Sequence, residues 1–265
     1  CRPLIGVLTD HVHTPRAIAK RMMEYHLDKD YTMRVAEHLG NPKKEKIYNI
    51  YSIEEISEMS FSCPNCVLLM KAPNSTQQRP ALGIPDTKFV LLNDRAKMIT
   101  KAPIRVIDLS LLELHNSRTF WDIGACTGSV SIEARRQYPH LNIQAFEVRE
   151  ECKDIIRANA RLQSAPGIDL HIGNFLNLPI AEDAIVDAVF IGGHGGKLKE
   201  IICKVASHLD KLKGKIVFNS VSEESNKLFR EAVEENDLKL HSEMNITVDS
   251  NNPITILCAT GKYHV

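Results

Sequence analysis

The chain has 265 residues, of which 43% are apolar, a length sufficient for one large domain or two modest ones. Its 33 basic and 33 acidic side chains cancel, so no net charge favours a nucleic acid or a membrane surface as partner. No run of residues approaches the roughly 18 apolar residues that a membrane-spanning helix needs. The 7 cysteines are dispersed, which favours a reducing cytoplasm over a disulfide framework. We therefore expect a cytoplasmic protein without a nucleic-acid or membrane partner.

The first segment, residues 1–71, is predicted to form a small α/β lobe. Thr14 and Pro15 are typical of a helix cap and first turn, and predict a helix to about residue 27. Ser52 and Glu55 have the spacing of a capping box and predict a second, short helix. The chain begins without Met, directly at a strand-like run, so we expect a piece of a longer protein. Strands are predicted at 4–8, 31–36, 46–51 and 67–70.

Residues 72–100 are predicted to be a linker and connecting segment, because 72–87 are polar and rich in Pro. From residue 101 onward, helices and apolar strands alternate, which predicts a Rossmann-like α/β domain at 101–265. No helix separates the last two strands, so the seven-stranded, mostly parallel sheet should end in an antiparallel strand. Helices are predicted at 103–114, 128–137, 149–163, 196–209 and 222–235. Strands are predicted at 119–123, 142–146, 168–172, 186–191, 214–219, 238–247 and 253–261.

A glycine-containing turn joins the first strand of this domain to the next helix. Gly124 and Gly128 let the backbone approach a ligand, and the helix N-terminus offers free N–H groups. Glu147 follows the next strand, where a carboxylate can bind both hydroxyls of a ribose. Cys126 replaces the middle glycine of a dinucleotide fingerprint, which favours S-adenosylmethionine (SAM) as cofactor. The predicted cofactor-binding residues are Thr100, Asp122, Gly124, Cys126, Thr127, Gly128, Ser129, Glu147, Gly173, Asn174 and Gly192.

Two further loops at the same edge of the sheet contain polar or glycine residues. Asn174 follows the third strand and either accepts the adenine amine or only forms a turn. Glycines surround His194 in residues 192–196, so bare N–H groups can hold a carboxylate or a flat ligand. His194 is either an acid or electrostatic contact, or a loop histidine without a role. Cys63 and Cys66 lack a second pair, so we expect strand-edge packing and no metal site.

Three motifs, in this order, resemble the precorrin-6Y methyltransferase (decarboxylating) family of cobalamin biosynthesis. They are Met-Ile-Thr-Lys at 98–101, the turn and helix at 122–133, and Phe-Ile-Gly-Gly-His-Gly-Gly at 190–196. The resemblance covers roughly 84–262 and implies the class I fold of SAM-dependent methyltransferases. It also implies methylation of carbon 15 of a precorrin with decarboxylation of an acetate arm. The chain departs from the family pattern at Cys126, where glycine is usual, and at His194, where serine or threonine is.

The first segment resembles the second half of a tetrapyrrole methylase domain. The motifs are Gly-Val-Leu-Thr-Asp at 6–10, His-Thr-Pro at 13–15 and Val-Ala-Glu-His-Leu-Gly at 35–40. In bifunctional relatives this domain methylates carbon 5. Its first half, with the SAM loop, is missing here, so the resemblance implies a partial α/β lobe at 1–71 ahead of the complete domain.

A precorrin substrate presents electron-rich bridge carbons and a rim of carboxylates, so the implied task of the protein is to hold a polyanion in line with the methyl donor. The predicted catalytic residues are His194 and Lys101. Lys101 and Arg105 are otherwise solvated charges at the start of a helix. The resemblance also implies a homo-oligomer. The predicted substrate contacts are Lys101, Arg105, Gly193, His194, Gly195, Gly196 and Lys197.

Three other functions remain open from the sequence. The first is a SAM-dependent methyltransferase acting on RNA or protein, which the absence of a basic stripe or an aromatic stacking run disfavours. The second is a nicotinamide oxidoreductase, which Cys126 disfavours. The third is a cofactor-binding interaction module without chemistry.

Overall fold

The computed structural model describes residues 4–72, 81–95, 98–249 and 252–262, and the chain divides into two units. The first unit comprises residues 1–80 with 161–164, and the second comprises 81–160 with 165–265. No helix in the described part of the chain is both long and apolar enough to cross a bilayer.

The first unit contains a four-stranded antiparallel sheet in the order β1-β4-β2-β3. Both predicted helix starts are confirmed: the Thr14 side chain accepts the N–H of Ala17, and Ser52 and Glu55 form a reciprocal capping box. The first helix ends before residue 27, because His26 adopts a left-handed backbone with φ of 55°. The elements are β1 (Leu4–Leu8), α1 (Pro15–Glu24), β2 (Tyr31–Glu37), β3 (Lys46–Tyr48), α2 (Ile53–Glu58) and β4 (Asn65–Lys71).

The second unit contains the seven-stranded sheet that the sequence predicts. Its order is β10-β11-β9-β8-β5-β6-β7, and β11 alone runs antiparallel to its neighbours β9 and β10. The strands are β5 (Thr119–Ile123), β6 (Asn142–Glu147), β7 (Ile168–Ile172), β8 (Ala188–Ile191), β9 (Lys215–Ser220), β10 (Leu238–Ile246) and β11 (Ile254–Gly261). The helices are α3 (Ala102–Leu111), α4 (Ser129–Gln137), α5 (Cys152–Leu162), α6 (Leu198–His208) and α7 (Glu223–Glu235).

The sequence of strand β8 is continuously apolar because side chains on both of its faces are buried. Val189 and Ile191 belong to a buried cluster with residues of α6 and α7. Ala188 and Phe190 belong to a second cluster, with residues of α3 and α4. Because successive side chains point to opposite faces of a strand, helices cover both faces of the sheet. The carboxyl ends of the parallel strands β5, β6, β8 and β9 therefore share one edge.

The second unit begins before the predicted boundary at residue 101. The segments 81–95 and 98–100 belong to it, and Ile84, Phe89 and Ile99 are buried there. The remainder of the predicted linker, 73–80, lies outside the described residues. Apolar side chains scattered among polar and proline residues carry no periodicity, which is why the sequence indicated a linker.

A buried ion cluster fixes this added segment to the domain. The Arg105 side chain is fully buried, and its guanidinium contacts Asp86 Oδ1 at 2.9 Å and Glu133 Oε2 at 3.4 Å. It also donates to the carbonyls of Ile84 and Thr100. The predictions of a solvated charge or a substrate contact at Arg105 do not fit this position, because its donors are held by protein acceptors and it has no exposed surface.

We expect Arg105→Met to lower the free energy of unfolding of the second unit by about 3–5 kcal/mol, because it leaves the buried Glu133 carboxylate without its cation. Urea unfolding followed by the fluorescence of Trp121 measures this unit, since the single tryptophan lies buried in β5. Arg157→Met, at an exposed position of α5, is the control and should change stability by no more than about 0.5 kcal/mol. Equal effects of both substitutions would contradict a structural role for the cluster.

Candidate functional site

A cavity of about 540 Å³ opens at the shared carboxyl edge of the sheet. Its walls come from the segment before α3, the turn between β5 and α4, the loop after β8 and the end of β9. Lys101 and Gly193 of the predicted substrate contacts line it. The predicted cofactor-binding residues that line it are Thr100, Asp122, Gly124, Cys126, Thr127, Ser129 and Gly192.

The turn after β5 depends on glycine at two positions. Gly124 has a φ of +79°, and a Cβ built on it would lie 2.6 Å from the backbone nitrogen of Gly193. Gly128 has a φ of +73° at the start of α4, and a Cβ there would lie 3.0 Å from Ile156 Cγ2. Both backbones are left-handed and tightly packed, which only glycine tolerates well. The turn and the loop after β8 therefore meet backbone to backbone beside the cavity.

Cys126 occupies the position where the family pattern has glycine. Its backbone is also left-handed, with a φ of 51°. The residue is buried in a cluster with Ala145, Cys152 and Ile156. Burial raises the pKa of its thiol. The thiol is therefore neutral at physiological pH and serves packing rather than nucleophilic chemistry.

The Glu147 carboxylate is directed at the turn, as ribose binding requires, but its oxygens are already engaged. Oε2 accepts the backbone N–H of Cys126 at 2.8 Å and Arg149 Nη2 at 3.0 Å. Oε1 accepts the backbone N–H of Arg149 at 3.0 Å and its Nε at 2.8 Å. Burial opposes the effect, but these hydrogen bonds lower the pKa of Glu147. Four donors use the acceptor capacity of a carboxylate, so a ribose has to displace the Arg149 side chain.

Asp122 and Thr127 place unpartnered oxygen atoms at the cavity wall. Asp122 Oδ2 accepts Ser131 N at 3.1 Å and Ser131 Oγ at 2.6 Å. Its Oδ1 and Thr127 Oγ1 are buried and have no hydrogen-bond partner in the ranges that the structure describes. Burial raises the pKa of Asp122 to about 6. Because an unpaired buried polar atom costs about 1–3 kcal/mol, both oxygens indicate a place for ligand donors.

A second hollow of about 400 Å³ shares the glycine loop and Asn219 with the first. His194 packs edge-on against Phe218, with ring centroids 5.8 Å apart, and its Nδ1 accepts the N–H of Gly196 at 3.2 Å. Burial lowers the pKa of His194, which favours the neutral imidazole at physiological pH. Gly195 and Gly196 line this hollow as well.

Six of the predicted site residues lie outside the described walls of both hollows, namely Arg105, Gly128, Glu147, Gly173, Asn174 and Lys197. Asn174 Oδ1 accepts the backbone N–H of Leu176 at 3.0 Å, which is the turn alternative of the sequence analysis. Lys197 pairs with Glu200 at 3.2 Å.

Sequence reasoning missed several residues that line the cavity, among them Arg149 and Asn219. Arg149 lies only two positions after Glu147, so the short stretch of backbone between them brings the two side chains together. Asn219 follows three apolar residues of β9. A polar side chain directly after an apolar run was the sequence feature that could have identified it. Within the described residues, no group of three or more candidate metal ligands comes together.

The sequence pattern of a family described as "Precorrin methyltransferase domain" matches residues 92–256, more than half of the chain. A crystal structure of a precorrin-6Y C5,15-methyltransferase from Geobacter metallireducens GS-15 is 33% identical to this chain. The match has a TM-score of 0.62 and covers 69% of this chain and 100% of that one. This likeness confirms the predicted class I SAM methyltransferase fold.

Two curated relatives have similar sequences. The cobalt-precorrin-6B C(15)-methyltransferase (decarboxylating) of Salmonella typhimurium is 35% identical over 127 residues, which is 48% of this chain. The precorrin-6Y C(5,15)-methyltransferase (decarboxylating) of Mycobacterium tuberculosis is 25% identical over 226 residues, which is 83% of this chain. The chain spans 64% of the length of the first relative and 53% of the second.

We expect Gly124→Ala to destabilise the second unit by about 2 kcal/mol or more, because the new Cβ is strained at positive φ and collides with the Gly193 backbone. Trp121 fluorescence during urea unfolding measures the change. Gly193→Ala is the matched control for stability, since its Cβ would meet only Gly124 Cα, at 4.0 Å. If the two substitutions destabilise equally, the backbone contact does not explain the glycine at 124.

Proposed function

The chain belongs to the precorrin methyltransferase domain family, and on this premise we propose that its second unit methylates carbon 15 of a precorrin from SAM and decarboxylates an acetate side chain. The observation that carries the proposal is the cavity at the sheet edge, where unpartnered acceptor oxygens lie between the glycine turn and the glycine loop. Such a site at the carboxyl edge of an α/β sheet suits an adenosyl ligand.

The residues present fit SAM. The Asp122 carboxylate would hold the ammonium group of the methionine part, with Thr127 Oγ1 beside it, because both have unused acceptor capacity at the wall. Glu147 would bind the ribose hydroxyls once Arg149 has moved from its carboxylate. When bound, SAM supplies an electrophilic methyl group on a sulfonium centre. The Asn174 amide stays a predicted adenine contact.

The proposed substrate side is the glycine loop with the nearby cations. The loop N–H groups at 192–196 and the ammonium group of Lys101 at the cavity wall suit the carboxylates of a tetrapyrrole. Lys197, which follows the loop, stays a predicted substrate contact. An electron-rich bridge carbon needs no strong base to attack a methyl donor, so these residues act by binding and orientation. A neutral His194 contacts the substrate at the second hollow. Lys101, whose ammonium group lies 3.5 Å from Asp86 Oδ2, binds a substrate carboxylate near the methyl donor.

We propose that the first unit is the C-terminal lobe of a tetrapyrrole methylase domain, which in complete relatives of this kind would methylate carbon 5. The similarity to the Mycobacterium tuberculosis protein supports this, because it extends over 83% of the chain and so beyond the second unit. The homo-oligomer implied by the resemblance stays a prediction.

The proposed reaction is tested by incubating the protein with SAM and a precorrin substrate and recording the product mass. We expect a gain of one methyl group and a loss of one carbon dioxide. Asp122→Asn should weaken SAM binding about tenfold, because a neutral amide replaces the carboxylate. Asp169→Asn, at an exposed carboxylate of β7, is the control and should leave binding unchanged. Methyl transfer to RNA or protein without any change in the precorrin would refute the proposal.

We expect Arg149→Ala to tighten binding of S-adenosylhomocysteine (SAH), the demethylated product, several-fold. In the parent, the ribose must first separate the ion pair between the partly exposed Arg149 and the buried Glu147. Isothermal titration calorimetry measures the affinity, and Arg157→Ala on the exposed face of α5 is the control. Weaker binding by Arg149→Ala would show instead that this guanidinium contacts the nucleoside itself.

A further inference from the structure

A carboxyl group lies buried behind the cavity wall, on helix α3. Asp108 has no exposed surface, and its Oδ2 accepts the side-chain N–H of Asn219 at 2.7 Å. Its Oδ1 has no partner in the described portion of the chain. A carboxyl group buried in this way is unfavourable for folding. A neutral side chain would fill the same space at lower cost, so the acid at 108 needs an explanation other than packing.

The hydrogen bond determines which end of the Asn219 amide is turned to the cavity. An ionised carboxylate only accepts hydrogen bonds, so Asp108 must hold the amide N–H group. The amide oxygen is then directed away from Asp108. Asn219 lines both hollows, and its Oδ1 is buried without a partner among the residues described. The end of β9 therefore contributes a hydrogen-bond acceptor to the wall that the two hollows share.

This acceptor is one of three. Asp122 Oδ1 and Thr127 Oγ1 are the other unpartnered oxygens of residues that line the larger cavity. A wall with several unused acceptors is complementary to a ligand that carries N–H groups. Loop backbone N–H groups, by contrast, face anionic ligand groups, so donors and acceptors are separated across the site.

We propose that Asp108 is a positioning residue, which fixes the Asn219 amide so that its oxygen accepts a hydrogen bond from an N–H group of the bound ligand. The inference rests on the proposed function, because two ligands of that reaction carry such groups. One is the ammonium of the methionine part of the cofactor, and the other is the pyrrole-type N–H of the tetrapyrrole ring. Asn219 borders both hollows, so the experiment has an arm for each source.

Protonation of Asp108 removes the orientation. A protonated carboxyl keeps one acceptor oxygen but can also donate to the amide oxygen, so Asn219 is no longer restricted to the orientation that turns its oxygen to the cavity. Burial is the main cause that raises the pKa of Asp108 to about 8, and the charge of Asp122 also raises it. The hydrogen bond from Asn219 and the charge of Arg105 lower the pKa. A ligand that needs the acceptor oxygen favours ionised Asp108. Its affinity therefore increases as the pH rises through about 8, and binding releases a proton.

The first arm uses SAH and isothermal titration calorimetry at pH 8, in buffers of different ionisation enthalpy, to measure proton release. Asp122, with a pKa of about 6, is already ionised at that pH. Asp108→Asn keeps the shape of the side chain and removes a buried acid, so it should fold at least as well as the parent. If the ammonium is the donor, the parent releases a fraction of a proton that Asp108→Asn does not. Any change in the protonation of SAH itself on binding is the same for both proteins, so it cancels when their proton release is compared.

The second arm measures KM and kcat for the precorrin between pH 7 and 9 at saturating SAM. Asn219→Leu removes the acceptor and should weaken the ligand concerned about tenfold, as SAH affinity or as KM. Asn226→Leu is the matched control, because Asn226 is also buried with an unpartnered Oδ1 in the described structure but lines neither hollow. It should leave both binding values and their pH dependence unchanged.

The outcomes separate cleanly. Weaker SAH binding by Asn219→Leu, with proton release lost in Asp108→Asn, supports the proposal and identifies the ammonium. Unchanged SAH binding, with a raised KM in Asn219→Leu and a flat pH profile of KM in Asp108→Asn, supports it and identifies the ring N–H. Any other pattern overturns it, including a control that behaves like Asn219→Leu. A parent that does not bind SAH refutes the proposed function. A parent that binds SAH, with both variants matching it in SAH binding, proton release and KM, refutes only this inference.

Discussion

The buried guanidinium of Arg105 is the constraint on which the arrangement of the second unit depends. It contacts Asp86 before α3 and Glu133 on α4, and it donates to the Thr100 carbonyl. Glu133 in turn accepts the backbone N–H groups of Gly83 and Ile84. One rigid, always charged fork thus joins a segment without α-helix or strand to two helices. Because Thr100 lines the cavity, the cluster also sets the position of one cavity wall.

The opposite wall is formed by backbone rather than by charge. The parallel order of β5, β8 and β9 brings the ends of three strands to one edge. The β5 turn and the β8 loop then approach so closely that no side chain fits at Gly124. Close packing therefore fixes the backbone of the turn and the loop, where the proposed function requires a methyl donor and a substrate to be aligned.

The sequence predicted what depends on local patterns. The strand at 119–123 and the Ser52 capping box were predicted to the residue, because periodicity and cap spacing are properties of adjacent positions. The antiparallel last strand followed from the missing helix before it. The burial of Arg105 could not be predicted, since its partners Asp86 and Glu133 are remote in sequence and a basic residue at a helix start is usually solvated. The pair of Asp108 and Asn219, 111 positions apart, depends on which face of α3 packs on β9.

Two buried acids lie at or behind the cavity wall, and the charge of Asp122 acts on Asp108. The pKa of Asp122 is about 6 and that of Asp108 about 8, both raised chiefly by burial, and each ionised group disfavours ionisation of nearby carboxylates. Asp122 therefore ionises first and places one negative charge in the wall at neutral pH. Asp108 carries its charge one layer deeper, where Arg105 partly offsets it. Arg105 thus stabilises the fold and also favours the ionised form of Asp108 behind Asn219. Stability and ligand orientation therefore depend on the same cluster.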